Sequence, residues 1–478
     1  MKKTIFLTLT LLIIAVCGIS FAAGQIKALG NNVTIKETVL AGDKKVAEGI
    51  TVTTNANYEN SPMKWRTAYT VGTEPKLDCE FEYNQDWADD REWPSNSSYV
   101  SVYMPLSDTE EWEREYVDEK PDFEEDLATP EFLVQPVIDK TKAGGTYKET
   151  VFLQDKLTYY PISFSFGTPW YVYYDDEEAD AYFRIPVPKD DRLEIKVQKD
   201  TNGNCKQLEI AAEKVAAIEA TGIVNEEEKA VYLFLTDMHA YDYNTEKNVR
   251  CNLPERICGI HRIPYEEGLN ELNRRKLEVD FEKAELVTPM KQGQNVLYPF
   301  FSEDKESLMA FSVREDSVNL LVFDADTFTF EQDLCLTDYD KDDEVYWHDQ
   351  SFIVNDQGDH MLITLEHNKF CLLTKNKEGD WQVEVSDRLL LGDVSCYLAG
   401  SDLAFEYSDG TLTLACLSLR DNPVSEWQSA ASFQLSVFQD NKRVYDGFYE
   451  SSLDDDAYTI SPDYNDRITL TLPSATSR

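Results

Sequence analysis

The densest run of side chains able to do chemistry is Asp338-Tyr339-Asp340-Lys341-Asp342-Asp343-Glu344-Val345-Tyr346-Trp347-His348-Asp349. Asp338, Asp340, Asp342 and Asp349 fall at positions 1, 3, 5 and 12 of a calcium-loop template, with apolar Val345 at position 8. Alternating acids in a tight loop can converge on one hard cation, because every second side chain points inward. These four are the candidate metal ligands, and calcium is the candidate cofactor. Two residues depart from the template: Asp343 stands where a sharp turn wants glycine, and Asp349 where a longer, bidentate Glu is usual. In so acidic a chain, a solvated loop joining two sheets is the competing and commoner reading.

No other motif assigns an activity. The nucleophile elbow GxSxG, the zinc-protease HExxH and the phosphate loop GxxxxGK[ST] do not occur in the sequence. Of the five histidines, His239 and His261 lie in strand-like segments, where a structural histidine is the expectation, and the spacing of His348, His360 and His367 suggests no ligand cluster. Ser408-Asp409-Gly410 is too compressed for a sialidase-type turn. Carboxylate pairs for glycoside cleavage are inevitable among 89 acids, and none is singled out. Trp87, Trp93, Trp112, Trp170, Tyr173 and Tyr174 have the rings to stack on sugars, although aromatics in strand-rich chains more often pack sheets together. The runs 175–178 and 454–456 read as solvated acidic loops.

The whole chain sets limits on its partners. Its 478 residues carry 45 Lys+Arg against 89 Asp+Glu, a formal net charge of −44. Such a surface repels nucleic acid and anionic membrane, so neither is an expected partner. With 42% hydrophobic residues the chain can bury a sizeable core in spite of that charge.

Lys2 and Lys3 precede an apolar run over residues 5–16, and Ser20-Phe21-Ala22 supplies small residues at signal-peptidase spacing. The expectation is a cleaved signal over 1–22 and an extracellular or cell-envelope location. The alternatives are an uncleaved membrane anchor over 5–23, the one membrane contact expected, or a lipid on Cys17, which Val16 disfavours. Cleavage after Ala22 removes two lysines and leaves 43 − 89 = −46. Among the remaining cysteines, Cys371 and Cys416 sit inside apolar runs as small hydrophobes, while Cys251 and Cys258 flank a short loop and are the best disulfide candidates.

Strand signals dominate the elements that must position these residues. Short β-branched or alternating runs begin near Val33 and recur at 50–53, 65–71, 99–103, 158–166, 170–174, 182–187 and 193–197. The acidic stretch 108–126 reads as a loop with one or two helical turns. From about residue 212 the pattern repeats: an apolar strand, a turn, a second apolar strand, an Asp/Asn turn, then an alternating outer strand such as 327–330 or 381–385. The Asp/Asn turns near 242, 324, 376 and 421 are spaced by 82, 52 and 45 residues. Propeller blades repeat at roughly 40–50 residues, so the first interval needs an insertion, assigned to the charged segment 266–285. Asp409-Gly410 marks a tight hairpin.

The expected fold is therefore all-β: a C-terminal β-propeller of four-stranded antiparallel blades over 206–478, its sheets set about one hub. A β-rich region over 23–205 completes it or forms a separate β-domain. A β-sandwich pair is the alternative. The segments 37–43, 64–72, 182–188 and Gly259-Ile260-His261-Arg262-Ile263-Pro264-Tyr265 resemble those of uncharacterised exported bacterial propeller-like proteins. That resemblance implies architecture and export and carries over no functional residue. The functional expectation is a non-catalytic exported propeller binding a protein or glycan ligand. The alternatives are an envelope or polysaccharide hydrolase using loop carboxylates, and a membrane-tethered sensory or scaffold ectodomain.

Overall fold

The computed structural model describes residues 12–21, 24–25, 32–58, 63–83, 99–103, 111–115, 131–160, 162–168, 171–174, 181–213, 219–236, 239–242, 247–250, 253–269, 275–291, 295–314, 316–338, 352–365, 369–389, 402–420, 427–456, 460–462 and 467–473. The fold is all-β and propeller-type, its repeating element the four-stranded antiparallel blade. The chain forms two compact units: residues 1–94 with 350–478, and residues 95–349.

Among the described residues, the first unit has three sheets. One is the meander Ile353–Asp356, His360–Leu365, Lys369–Lys375 and Trp381–Arg388. Its two central strands are apolar on both faces, as strands covered on both sides must be. A second runs Leu403–Ser408, Thr411–Arg420, Trp427–Gln439, Lys442–Ser451 and then, from the other end of the sequence, Ile35–Gly42. In the third, Thr51–Tyr58 pairs with Met63–Thr70 on one side and with Ile460–Pro462 and Ile468–Thr471 on the other, and Lys76–Tyr83 forms the far edge. The N-terminal strands thus complete sheets begun by C-terminal ones. Asp409 and Gly410 form the expected hairpin turn with φ of 50° and 73°, the paired positive values a tight primed turn requires.

The second unit contains the meander Asn295–Phe301, Ser307–Val313, Ser317–Asp324 and Phe330–Asp338. One face packs Leu308, Ala310, Leu321 and Phe323 against Ala230, Tyr232, Phe234 and Ile260 of an eight-stranded sheet. A further four-stranded sheet orders Glu111–Glu115, Cys205–Glu213, Arg192–Lys199 and Thr146–Phe152. The helix Glu131–Lys140 lies in the same core through Leu133, Val134, Val137 and Ile138, spaced to form one helical stripe.

The structure departs from the sequence expectation at five places. Within 108–126, Glu111–Glu115 is a strand paired with Gln207–Ala211, its period of two obscured because four of its five side chains are charged. Residues 181–183 are helical where a strand was expected, and Pro186 and Pro188, lacking N–H donors, limit the segment to an isolated bridge between Tyr159 and Pro186. The segment 266–285 is no unpatterned insertion: Gly259–Leu269 pairs antiparallel with Arg275–Val279, from Tyr265 opposite Val279 to Leu269 opposite Arg275. The outer strand begins only at Phe330. Residues 327–329 are the turn leading into it, held by Asp324, whose carboxylate accepts from the Thr327 N–H at 2.7 Å and from its hydroxyl at 2.6 Å. Asp454, finally, is buried and not a solvated acid.

Candidate functional site

Asp338, first of the four candidate calcium ligands, ends the Phe330–Asp338 strand and lies opposite Ser317. It is exposed, and the Cys335 thiol lies 3.7 Å from its Oδ1. Asp340, Asp342 and Asp349 lie outside the described residues. Among the described residues, no group of three or more His, Cys, Asp or Glu side chains could hold a metal ion. The end of the sheet from which the acidic run departs carries a polar cluster. The Arg314 guanidinium meets Asp333 Oδ2 at 2.5 Å, and the Asn319 amide donates to Asp333 Oδ1 at 2.7 Å. Register places Cys335 opposite Asn319 and Ser312 opposite Asn319 on its other side. Burial first, then the nearby Asp338 charge, raises the Cys335 thiol above its ordinary range, which disfavours a thiolate nucleophile there.

Elsewhere the buried titratable groups bind strands to one another. In the first unit, Asp446 is fully buried and accepts from Gln434 at 2.6 Å, Ser436 at 3.3 Å and Arg443 at 2.5 Å. Arg443 also reaches Asp387 and the Arg388 carbonyl. Burial dominates and raises the Asp446 carboxyl even against those donors. Asp402 is buried against Arg467 at 2.8 Å. Asp454 accepts from the Ser432 N–H at 2.7 Å, its hydroxyl at 2.5 Å and the Ala431 N–H at 3.3 Å, while Ser432 Oγ accepts from the Ser451 N–H.

Tyrosines form the second set. Tyr69, Tyr445 and Tyr449 are buried with Phe433, which stacks on Tyr449 at 4.7 Å. The Tyr445 and Tyr449 hydroxyls are 2.6 Å apart, and Tyr69 donates to Glu37, itself paired with Lys44 at 2.6 Å. Burial pushes Tyr69 and Tyr445 up to about 12 and raises Tyr449 further. In the second unit, burial raises Tyr232, whose hydroxyl donates to Glu228.

His261 is the structural histidine its strand context suggests. Nε2 lies 2.7 Å from the Ile257 carbonyl, which can only accept, so that nitrogen carries the proton and Nδ1 accepts from Tyr182 at 2.9 Å. Burial lowers its pKa and keeps the ring neutral. His360 packs edge-on against Tyr407 at 5.0 Å. His239 begins a strand, and His348 and His367 lie outside the described residues. Cys371 and Cys416 are buried, as their apolar runs imply. Cys258 is also buried, its thiol directed at the Pro254 carbonyl at 3.7 Å, and Cys251 lies outside the described residues. Of the aromatic stacking candidates, Trp87, Trp93 and Trp170 lie outside the described residues. So do 175–178 of the acidic runs.

No family model matches the chain, and no curated protein does. Among solved structures, a candidate 6-phosphogluconolactonase from Bacteroides fragilis is similar over 90% of this chain and 99% of its own at 9% identity, with a TM-score of 0.28. The periplasmic gluconolactonase of Pseudomonas aeruginosa covers 64% and 96% at 12% identity, TM-score 0.21. TolB from Acinetobacter baumannii covers 90% and 84% at 8% identity, TM-score 0.18. These likenesses assign no function, and the fold described above rests on the strand pairing of this chain.

Proposed function

We propose that the protein is an exported, non-catalytic propeller-type protein that binds a protein or glycan ligand. One observation carries the non-catalytic part: the buried carboxylates Asp402, Asp446 and Asp454 are each engaged by donors of their own sheet or a neighbouring strand. A general acid or base needs reach to a substrate proton, and these carboxylates are committed to the fold. Export is supported by the basic-then-apolar start and by residues 12–21, where Leu12, Ile13, Ile14, Val16, Ile19 and Phe21 are all exposed on a helix. No helix among the described residues is long and apolar enough to cross a membrane.

Two groups of measurements, one on the N-terminus and one on the ligand, test the reading. N-terminal sequencing of the protein recovered from expressing cells should begin near Ala23, and a chain that retains residues 1–22 in the membrane fraction would establish the tethered ectodomain instead. A glycan array and a cross-linking capture of protein partners should each be read beside hydrolysis assays on envelope polysaccharides. Turnover of any of these would replace the binding protein with the hydrolase.

A further inference from the structure

The interface between the 295–338 meander and the eight-stranded sheet changes character along its length. At one end it is aromatic: Tyr232 lies 4.7 Å from Phe328 and 6.2 Å from Phe301, and one step along, Phe234 lies 6.0 Å from Phe323. Strand alternation carries the same face onward from Leu308 and Ala310 to Ser312, and from Phe323 and Leu321 to Asn319. Ser312 and Asn319 face each other across their strand pair, and Ser312 also pairs with Val296 of this core. On the opposing sheet, Thr221 is in register with Phe234 and shares the face of Ile223. Thr236 follows the end of the Ala230–Leu235 strand.

All four residues have a buried polar atom with no hydrogen-bond partner: Thr221 Oγ1, Thr236 Oγ1, Ser312 Oγ and Asn319 Oδ1. Ser312 and Thr236 are fully buried, and Asn319 is 5% exposed. The Asn319 amide nitrogen donates to Asp333, and Oδ1, which can only accept, has no donor. Each hydroxyl lacks both a donor and an acceptor partner. A bare cation would leave the hydroxyl protons unsatisfied, and a bare anion would leave Asn319 Oδ1 unsatisfied. A hydroxyl group, which donates and accepts, suits the whole set.

We propose that Thr221, Thr236, Ser312 and Asn319 form an internal polar site that takes hydroxyl groups, either of ordered water or of a saccharide. The inference stands independently of the proposed function. Its test is the substitution Ser312→Ala in the full chain, which removes one hydroxyl and little volume. With a bound hydroxyl in place, the change strands that group and lowers the melting temperature by about 1–3 °C. In a dry interface the same change removes an unpaired group and raises it.

Glucose at one concentration, added to wild type and to Ser312→Ala, separates the two sources. A larger upward shift in the wild type identifies a saccharide hydroxyl; equal shifts leave water as the ligand. A crystal structure of the wild type supplies the second readout, with ordered density within hydrogen-bond reach of Ser312 Oγ and Asn319 Oδ1. An empty interface there, or a more stable Ser312→Ala, overturns the proposal.

Discussion

Tyr69 shows how one buried hydroxyl sets a pH limit on the fold. Burial, with the Glu37 charge second, holds its pKa near 12, against about 10 for an unfolded tyrosine. The folded state therefore keeps a proton that the unfolded state gives up, so stability is full below about pH 10 and falls as pH rises toward 12. The shift corresponds to about 2–3 kcal/mol of differential stabilisation. Tyr445 adds a loss in the same window. Urea unfolding at pH 8, 10 and 11 should show this decline for the wild type and a shallower one for Tyr69→Phe; parallel declines would remove Tyr69 from the account. None of this is legible from Ala68-Tyr69-Thr70, because the shift depends on Glu37 and Phe433, brought in from distant strands. The unpaired Ser312 hydroxyl and Asn319 Oδ1 were hidden for a related reason. In Met309-Ala310-Phe311-Ser312-Val313 a lone serine looks like an ordinary break in an apolar run, and only the register with Asn319 gives it meaning.

Among the elements, glycines at turns separate local strain from tertiary contact. Gly42 has φ of 77°, and a Cβ there would lie 1.9 Å from the Val444 carbonyl oxygen, a backbone atom in the paired strand. Gly410 has φ of 73°, yet a Cβ would meet nothing nearer than Asp440 Oδ1 at 3.9 Å. Gly410→Ala should therefore cost only the left-handed backbone penalty, about 1–2 kcal/mol. Gly42→Ala adds a displacement of the strand pair joining the N-terminal Ile35–Gly42 to Lys442–Ser451 and should cost clearly more, on the order of 3 kcal/mol or above. Equal costs in denaturant melts would mean that this joining pair yields freely. The Gly410 hairpin was readable because its signal is local, two adjacent residues that tolerate positive φ between alternating runs. The partner of Ile35–Gly42 was not readable, since its pairing lies more than 400 positions away. The apolar meanders at 307–324 and 361–373 declared themselves through their hydrophobicity, whereas Glu111–Glu115 and Arg275–Val279 carry so much charge that their period of two reads as loop.

Over the whole molecule, charge is the property that most sets this chain apart. A net −44 spread over one chain opposes compaction through self-repulsion, and any added salt relieves part of it. Sodium chloride raised from about 10 mM to about 0.5 M, a change that shortens the screening length from roughly 30 Å to a few Å, should raise the melting temperature. The same electrostatics complicates the calcium idea for Asp338, Asp340, Asp342 and Asp349, because every divalent cation screens an acidic surface. A built calcium site differs in kind: it needs many oxygens at the longer calcium distance and discriminates against the smaller, octahedral magnesium. Melting should thus be followed in calcium and in magnesium at matched ionic strength, each with and without chelator. A stabilisation specific to calcium, lost on chelation and lost in Asp338→Asn, is the expected result for a loop that coordinates the ion. Equal shifts from both cations would reduce the acidic run to a solvated connection whose charge acts only through the field of the whole chain.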